Sequence, residues 1–91
     1  MNLEWDEEKR LSNIKKHKID FIGVEEVFDG YTVSMEDNRI CYGEQRFITF
    51  GKLNTCVVVI VHTEKDNNIR IISIRKATIN EEKNYYAAIT N

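Results

Sequence analysis

Hydrophobic positions change their period along the chain, and the change divides it into elements. From Asp6 to Lys18 the pattern is mostly polar, with Leu11 and Ile14 as the inward stripe of a helix, extended by the aliphatic stem of Lys18. Asp6 is placed to cap the amides that follow it, Glu7 and Glu8 fill the first turn, and Lys15, Lys16 and Lys18 the last. After Asp20 a second, short helix is expected, with Phe21, Val24, Val27 and Phe28 on one side and Gly30 closing it. Beyond Gly30 the period falls to two, and strands are predicted over 31–36, 44–52, 55–64 and 68–76. The polar stretches "KLNT" and "EKDNN" join the last three as a meander, and "TCVVVIVHTE", apolar on both faces, marks a central strand. "TINE" from Thr78 to Glu81 is a capping box that opens a C-terminal helix carrying Tyr85, Tyr86 and Ile89. The expected fold is α+β, with two N-terminal helices, a four-stranded antiparallel sheet and a C-terminal helix; a very short extra strand at "LEW" is a further option.

Composition narrows the class. A chain of 91 residues is expected to form one domain, 1–91, with a modest core that needs no staple. An apolar share of 42% with 31% charged residues is ordinary for a folded domain. The two cysteines, Cys41 and Cys56, have neither disulfide-framework nor zinc-site spacing, so no metal and no cofactor is expected. "MNLEWDEEKR" lacks a basic region followed by an apolar one, and "CVVVIV" is too short to span a bilayer, so a cytoplasmic protein without membrane contact is expected. The net charge of −2 offers no global steering toward nucleic acid, although the balance moves from five Lys/Arg against eight Asp/Glu in residues 1–30 to five against four in 61–91.

Cations at the ends of an otherwise apolar strand raise the chemical question. Simple alternation places Arg70, Ile72, Ile74 and Lys76 on one face, and Ile69, Ile71, Ser73 and Arg75 on the other. With the shortest turns, Thr63 pairs with Arg70, Glu44 lies across from Thr63, and Arg46 shares their face. A carboxylate beside guanidiniums suits RNA cleavage, which needs a base for the 2′-hydroxyl, an acid for the leaving 5′-oxygen, and cations for the charged phosphorane. Glutamate or histidine serves the first need, and arginine forks serve the last without a metal.

Each candidate has a plainer explanation. Lys16 and His17 in "KKHK" face a helix dipole, Glu44 and Arg46 form a surface ion pair, and Arg70, Arg75 and Lys76 are edge charges that discourage aggregation. His62 ends an apolar strand as a hydrogen-bonded near-core residue, and Tyr85 packs its helix. On spacing alone these explanations prevail.

A longer ordered series changes the balance. "EWDEEK", Asn13, Lys16 and His17, Phe21, "VFD", "GEQR", Gly51, His62 and Thr63, "RIISIRKAT", Glu81 or Glu82, and Tyr85 together resemble the BrnT family of bacterial type II toxins. The likeness runs nearly the length of the chain. It departs at Lys18, where the family commonly has glycine, and at Ile74, where a smaller residue is usual. The resemblance implies a RelE-like fold, a ribonuclease that halts translation, and a BrnA-like ribbon-helix-helix antitoxin in a 2:2 heterotetramer. RNA, presented free or on the ribosome, would be the substrate, and operator DNA would be reached only through the antitoxin. Glu44 or His17 would then act as base, Arg46 and Arg70 on the scissile phosphate, and Arg75 on developing charge. Lys16, Lys76 and Tyr85 would hold flanking nucleotides, Tyr85 by stacking. A non-catalytic interaction module, a degenerate toxin kept for regulation, is the competing expectation. A stand-alone DNA-binding regulator is disfavoured, because no helix joins a basic face to polar base readers.

Overall fold

A computed structural model describes residues 2–39 and 43–90. The elements run β1 (Asn2–Trp5), α1 (Glu7–His17), α2 (Glu25–Asp29), β2 (Val33–Asp37), β3 (Arg46–Leu53), β4 (Cys56–Lys65), β5 (Asn68–Lys76) and α3 (Ile79–Thr90). All the strands form one sheet in the order β1-β5-β4-β3-β2. β2 to β5 are antiparallel neighbours, whereas β1 pairs parallel with β5. The expected four-stranded antiparallel sheet behind two leading helices is therefore corrected to a mixed sheet with, among the described residues, five strands and three helices. The chain enters the sheet before its first helix. Four residues suffice because Leu3 and Trp5 pack on the core while Glu4 points away, and β5 supplies the rest of the ladder.

Local signals explain the helix ends. Asp6 Oδ1 accepts from the backbone N–H of Glu8 at 2.8 Å and of Lys9 at 3.3 Å. At the other end, Lys18 adopts a left-handed conformation (φ 61°, ψ 28°), and its N–H donates to the Ile14 carbonyl. The helix exit thus survives without glycine. In α3 the capping box is reciprocal: Glu81 N–H donates to Thr78 Oγ1, and Thr78 N–H donates to Glu81 Oε1. Gly30 follows α2 in extended rather than left-handed backbone (φ −95°).

The inward face of α1 differs from expectation. Leu11 is 55% exposed, and Asn13 is the buried residue. β1 ends level with Ile71, so the outer edge of β5 loses its strand neighbour there. α1 lies against β5 beyond that point. Asn13 takes the place of the missing strand: its Nδ2 donates to the Ile74 and Ile19 carbonyls, each at 2.9 Å, and its Oδ1 accepts from Ile74 N–H at 3.0 Å. A buried backbone donor and acceptor are thereby satisfied.

β5 carries a bulge. Val61 pairs with Ser73 and His62 with Ile71, so Ile72 is the extra residue. The shift keeps Ile69, Ile71 and Ile74 all in one core, which uninterrupted alternation would not. It also overturns the expected face assignment. Arg70, Ser73 and Arg75 now share a face, since they pair with Thr63, Val61 and Val59, which alternate along β4. Lys76, paired with Val58, turns to the other face.

The two faces are covered unequally. Phe21, Val24 and Val27, from α2 and the turn before it, pack with Val58, Ile60, Ile69, Ile71 and Ile74. Gly51 lets α2 approach, because a Cβ there would lie 2.5 Å from Val27 Cγ1. On the opposite face α3 sets Tyr85 against Val57, Val59 and Ala77, with Val33, Phe50 and Ile89 around them. Among the described residues, no helix is long and apolar enough to cross a membrane. Cys56 is an exposed thiol, and Cys41 lies outside the described residues.

Candidate nucleic-acid interface

The face that carries α3 also carries a charged row, in which Asp37 is buried and Arg70 exposed. Asp37 pairs with Arg46, the Phe47–His62 pairing sets Arg46 level with Thr63, Thr63 pairs with Arg70, and Arg70 lies beside Glu4. Asp37, Arg46, Thr63, Arg70 and Glu4 therefore cross the whole sheet on one face. With strands about 4.8 Å apart, the backbones of Arg46 and Arg70 are about 10 Å from each other, a gap that arginine side chains can close around a phosphate. Arg75 stands on the same face, level with Val59 and about 13 Å along β4 from Thr63. Between the two levels runs an apolar strip that includes Met35, Ile48 and Val61, with Met35 half exposed.

Carboxylates hold several of these cations in place. Arg39, just after β2, grips Asp37 through Nε at 2.8 Å and Nη2 at 3.0 Å. That hydrogen bonding, aided by the charges of Arg39 and Arg46, keeps the buried Asp37 carboxyl below the usual carboxylate range. Arg75 forms a two-pronged pair with Glu81 at 2.8 and 2.9 Å, which brings the Glu81 pKa down to about 2. The same bonds raise the Arg75 pKa, and the nearby charge of Arg39 opposes the rise. Arg46 meets Glu44 at 3.5 Å.

Arg46, Arg70 and Arg75 thus share one face, and Glu44 accompanies Arg46. Glu44 precedes β3, two positions from the expected alignment with Thr63, because the register places Arg46 there instead. Lys76 is on the opposite face. Lys16 and His17 are exposed on the last turn of α1. His17 lines a depression of about 220 Å³ with Lys9, Lys16, Ile72 and Ser73, and also a cleft of about 640 Å³ with Lys18 and Lys76. Tyr85 is 3% exposed, its hydroxyl donates to the Tyr31 carbonyl at 2.7 Å, and its ring meets Tyr86 edge-on. The expected stacking platform is a core residue with no open ring face.

His62 is a near-core residue, as its position suggested. It is fully buried, its Nε2 is 2.7 Å from Thr49 Oγ1, and Phe28 and Phe47 flank the ring. Burial pushes its pKa below the ordinary histidine value, more than Glu64 at 3.9 Å raises it. Asp37, Arg39 and Lys9 escaped the sequence reading. Asp37 had a signal, since Val33, Met35 and Asp37 alternate along β2 and place a carboxylate inward. Arg39 had none, because its partner becomes visible only once the strand ends.

Chemically, this face offers two guanidiniums on either side of a hydroxyl, with a half-exposed carboxylate beside one of them. Among the described residues, no group of three or more His, Cys, Asp or Glu side chains is gathered to hold a metal ion. Sequence comparison finds no match among curated proteins. The family model described as "Ribonuclease toxin, BrnT, of type II toxin-antitoxin system" matches residues 5–81, from the end of β1 through the charged row to Glu81. The chain therefore belongs to the BrnT family of ribonuclease toxins of type II toxin–antitoxin systems.

Proposed function

We propose that this protein is a metal-independent endoribonuclease that inhibits translation by cutting RNA at the sheet face that carries the charged row. One observation carries the proposal: Arg46 and Arg70 stand in a single cross-strand row on either side of Thr63. Two guanidinium forks there supply the charge that a pentacoordinate phosphate develops, without a bound cation. Glu44 takes the proton of the 2′-hydroxyl, and the oxygen attacks the adjacent phosphorus to close a 2′,3′-cyclic phosphate. The P–O5′ bond breaks while Arg46 and Arg70 stabilise the accumulating charge, and Arg75 adds to that stabilisation only on release from Glu81. Asp37 and Glu81 are held ionised and are poor proton donors, so water protonates the leaving oxygen. His17 sits at the end of α1, off the sheet face, and has no part in this step. Lys16 and Lys76 bind flanking nucleotides.

Membership of a type II family implies an antitoxin partner. The partner proposed is a BrnA-like ribbon-helix-helix protein in a 2:2 heterotetramer, through which alone the toxin reaches operator DNA. The test is incubation of the purified toxin with RNA in EDTA, alone and with ribosomes, followed by analysis of the ends. Fragments ending in 2′,3′-cyclic phosphate are expected; their absence under both conditions rejects the proposal.

A second reading has its own support. Arg75 is already neutralised by Glu81, and Met35 leaves apolar surface exposed beside the row, as suits a protein-docking face. A toxin kept only to bind its antitoxin would be harmless when expressed alone yet bind the partner tightly.

A further inference from the structure

We infer that single-stranded RNA leaves the arginine row across the β5 bulge, follows α1 past Lys16, and ends in the cleft between His17 and Lys76. This rests on reading the protein as a ribonuclease, and it assigns a binding site to surface lying outside the bond-breaking centre.

Continuity comes first. Ser73 shares the arginine face and also lines the 220 Å³ depression beside Lys9 and Lys16. His17 lines that depression and the 640 Å³ cleft, so the two join at the end of α1. Arg70 and Ser73 share a face of β5 on either side of the bulge, which gives a strand bound at Arg70 a route past the sheet edge. α1, at eleven residues, is about 16 Å long, enough for several nucleotides.

Charge comes second. Among the described residues, Lys9, Lys16 and Lys76 form no ion pair, whereas Asp20, one of the cleft's two carboxylates, is paired with Arg10. Asp20 bonds Arg10 and the Ile22 N–H, and Glu26 accepts from the Asn54 N–H. Glu26 and the carbonyl end of α1 together bring about one and a half negative charges to the site, less than Lys16, Lys18 and Lys76 supply.

Shape comes third. The cleft has an apolar side made by Ile19, Ile22, Leu53 and Val58, and Ile22 is 62% exposed. A base placed there loses its neighbour in a stack and gains apolar contact, which a duplex cannot provide. Single-strand sites combine cations with apolar platforms on which bases rest, commonly aromatic; here aliphatic side chains take that place.

The test measures binding of fully 2′-O-methylated RNA, which lacks the attacking hydroxyl and cannot be cut, by fluorescence anisotropy across a salt series. A trinucleotide is compared with an oligonucleotide of about 12 residues, within the range of single-strand site sizes. Replacing Lys16 and Lys76 together by alanine is expected to weaken the longer RNA several-fold and to reduce its salt slope by about 0.7 for each phosphate that the variant no longer neutralises. The trinucleotide should lose markedly less than the longer RNA, and Lys83→Ala, on exposed α3, should change neither. An unchanged slope for the longer RNA, or an equal loss for the trinucleotide, overturns the inference. Failure of the nuclease reading is separable. If unmodified RNA stays intact while the longer oligonucleotide still depends on the two lysines, the groove stands and the catalysis falls. If RNA is cut but the lysine variants bind normally, the groove falls and the catalysis stands.

Discussion

The sheet face and the flank of α1 are both basic, but their cations are deployed differently. On the sheet, Arg39, Arg46 and Arg75 each meet a carboxylate, at distances from 2.8 to 3.5 Å. Along α1 and at the end of β5, Lys9, Lys16 and Lys76 form no ion pair among the described residues. Carboxylates hold planar guanidiniums in fixed orientation while lowering the net positive charge, which suits stabilisation of a reacting group. Unpaired ammonium groups keep full charge and mobility, which suits affinity that is salt-dependent and indifferent to sequence. The contrast also bears on how a chain of net charge −2 can present surface attractive to RNA: the lysines beside α1 keep their charge although the chain as a whole is acidic.

The sharpest way to break this contrast is to remove a guanidinium from the row. Arg46→Ala or Arg70→Ala should slow RNA cleavage by about 10²–10³-fold, the scale of losing one preorganised charge donor. Denaturant titration should place each variant within about 1 kcal/mol of the parent. Lys16→Ala should leave cleavage of short RNA almost unchanged. Equal losses of rate at both sites would erase the distinction.

A structural test follows with somewhat smaller effect. Asn13→Ala leaves the Ile74 N–H and carbonyl without partners and should cost about 2–4 kcal/mol in urea unfolding. Hydrogen exchange should quicken at Ile74 more than at Ile60 in the sheet centre. Uniform loosening would show that α1 and the sheet are one cooperative unit rather than two differently built regions.

Much of this frame is legible in the sequence. Asp6, the "TINE" box, the meander turns and the Thr63–Arg70 pairing depend on neighbours in sequence, and local chemistry determines them. What escaped was non-local. The pairing of β1 with β5 joins residues more than sixty positions apart, and "NLEW" carries too little pattern to announce it. The bulge at Ile72 is hidden because isoleucines stand at 69, 71, 72 and 74, so "IRIISIR" fits either register equally well. Asn13 was overlooked because an asparagine within a helix usually faces water. The candidate site suffered most from the bulge: residues five apart on a regular strand face opposite ways, and only the extra residue brings Arg70 and Arg75 together.

Two smaller measurements sharpen the comparison. Glu81→Gln removes the carboxylate that fixes Arg75 and should cost about 1 kcal/mol at neutral pH, given partial exposure of the pair. Because Glu81 has a lowered pKa when folded, its stabilisation is complete above the ordinary carboxylate range and is lost as pH falls from about 4.5 toward about 2. The stability gap between parent and variant should close over that window; a gap independent of pH would show that the pair contributes by packing alone. Lys18→Gly, at the mouth of the α1 cleft, relieves a left-handed side chain and should stabilise by about 1 kcal/mol or less. A decrease in thermal midpoint would mean that the Lys18 side chain contributes more than its backbone strain costs.

The amide of Asn13 has one more consequence, for the protein at high concentration. A bare strand rim is a template on which another molecule can add, and repetition of that step builds fibres. Beyond Ile71 the rim of β5 is closed by a helix from the same chain, with a side chain occupying the positions that a foreign backbone would need. The part of β5 that its four-residue partner leaves uncovered is therefore unavailable for polymerisation, and the edge on that side is reduced to β1 itself.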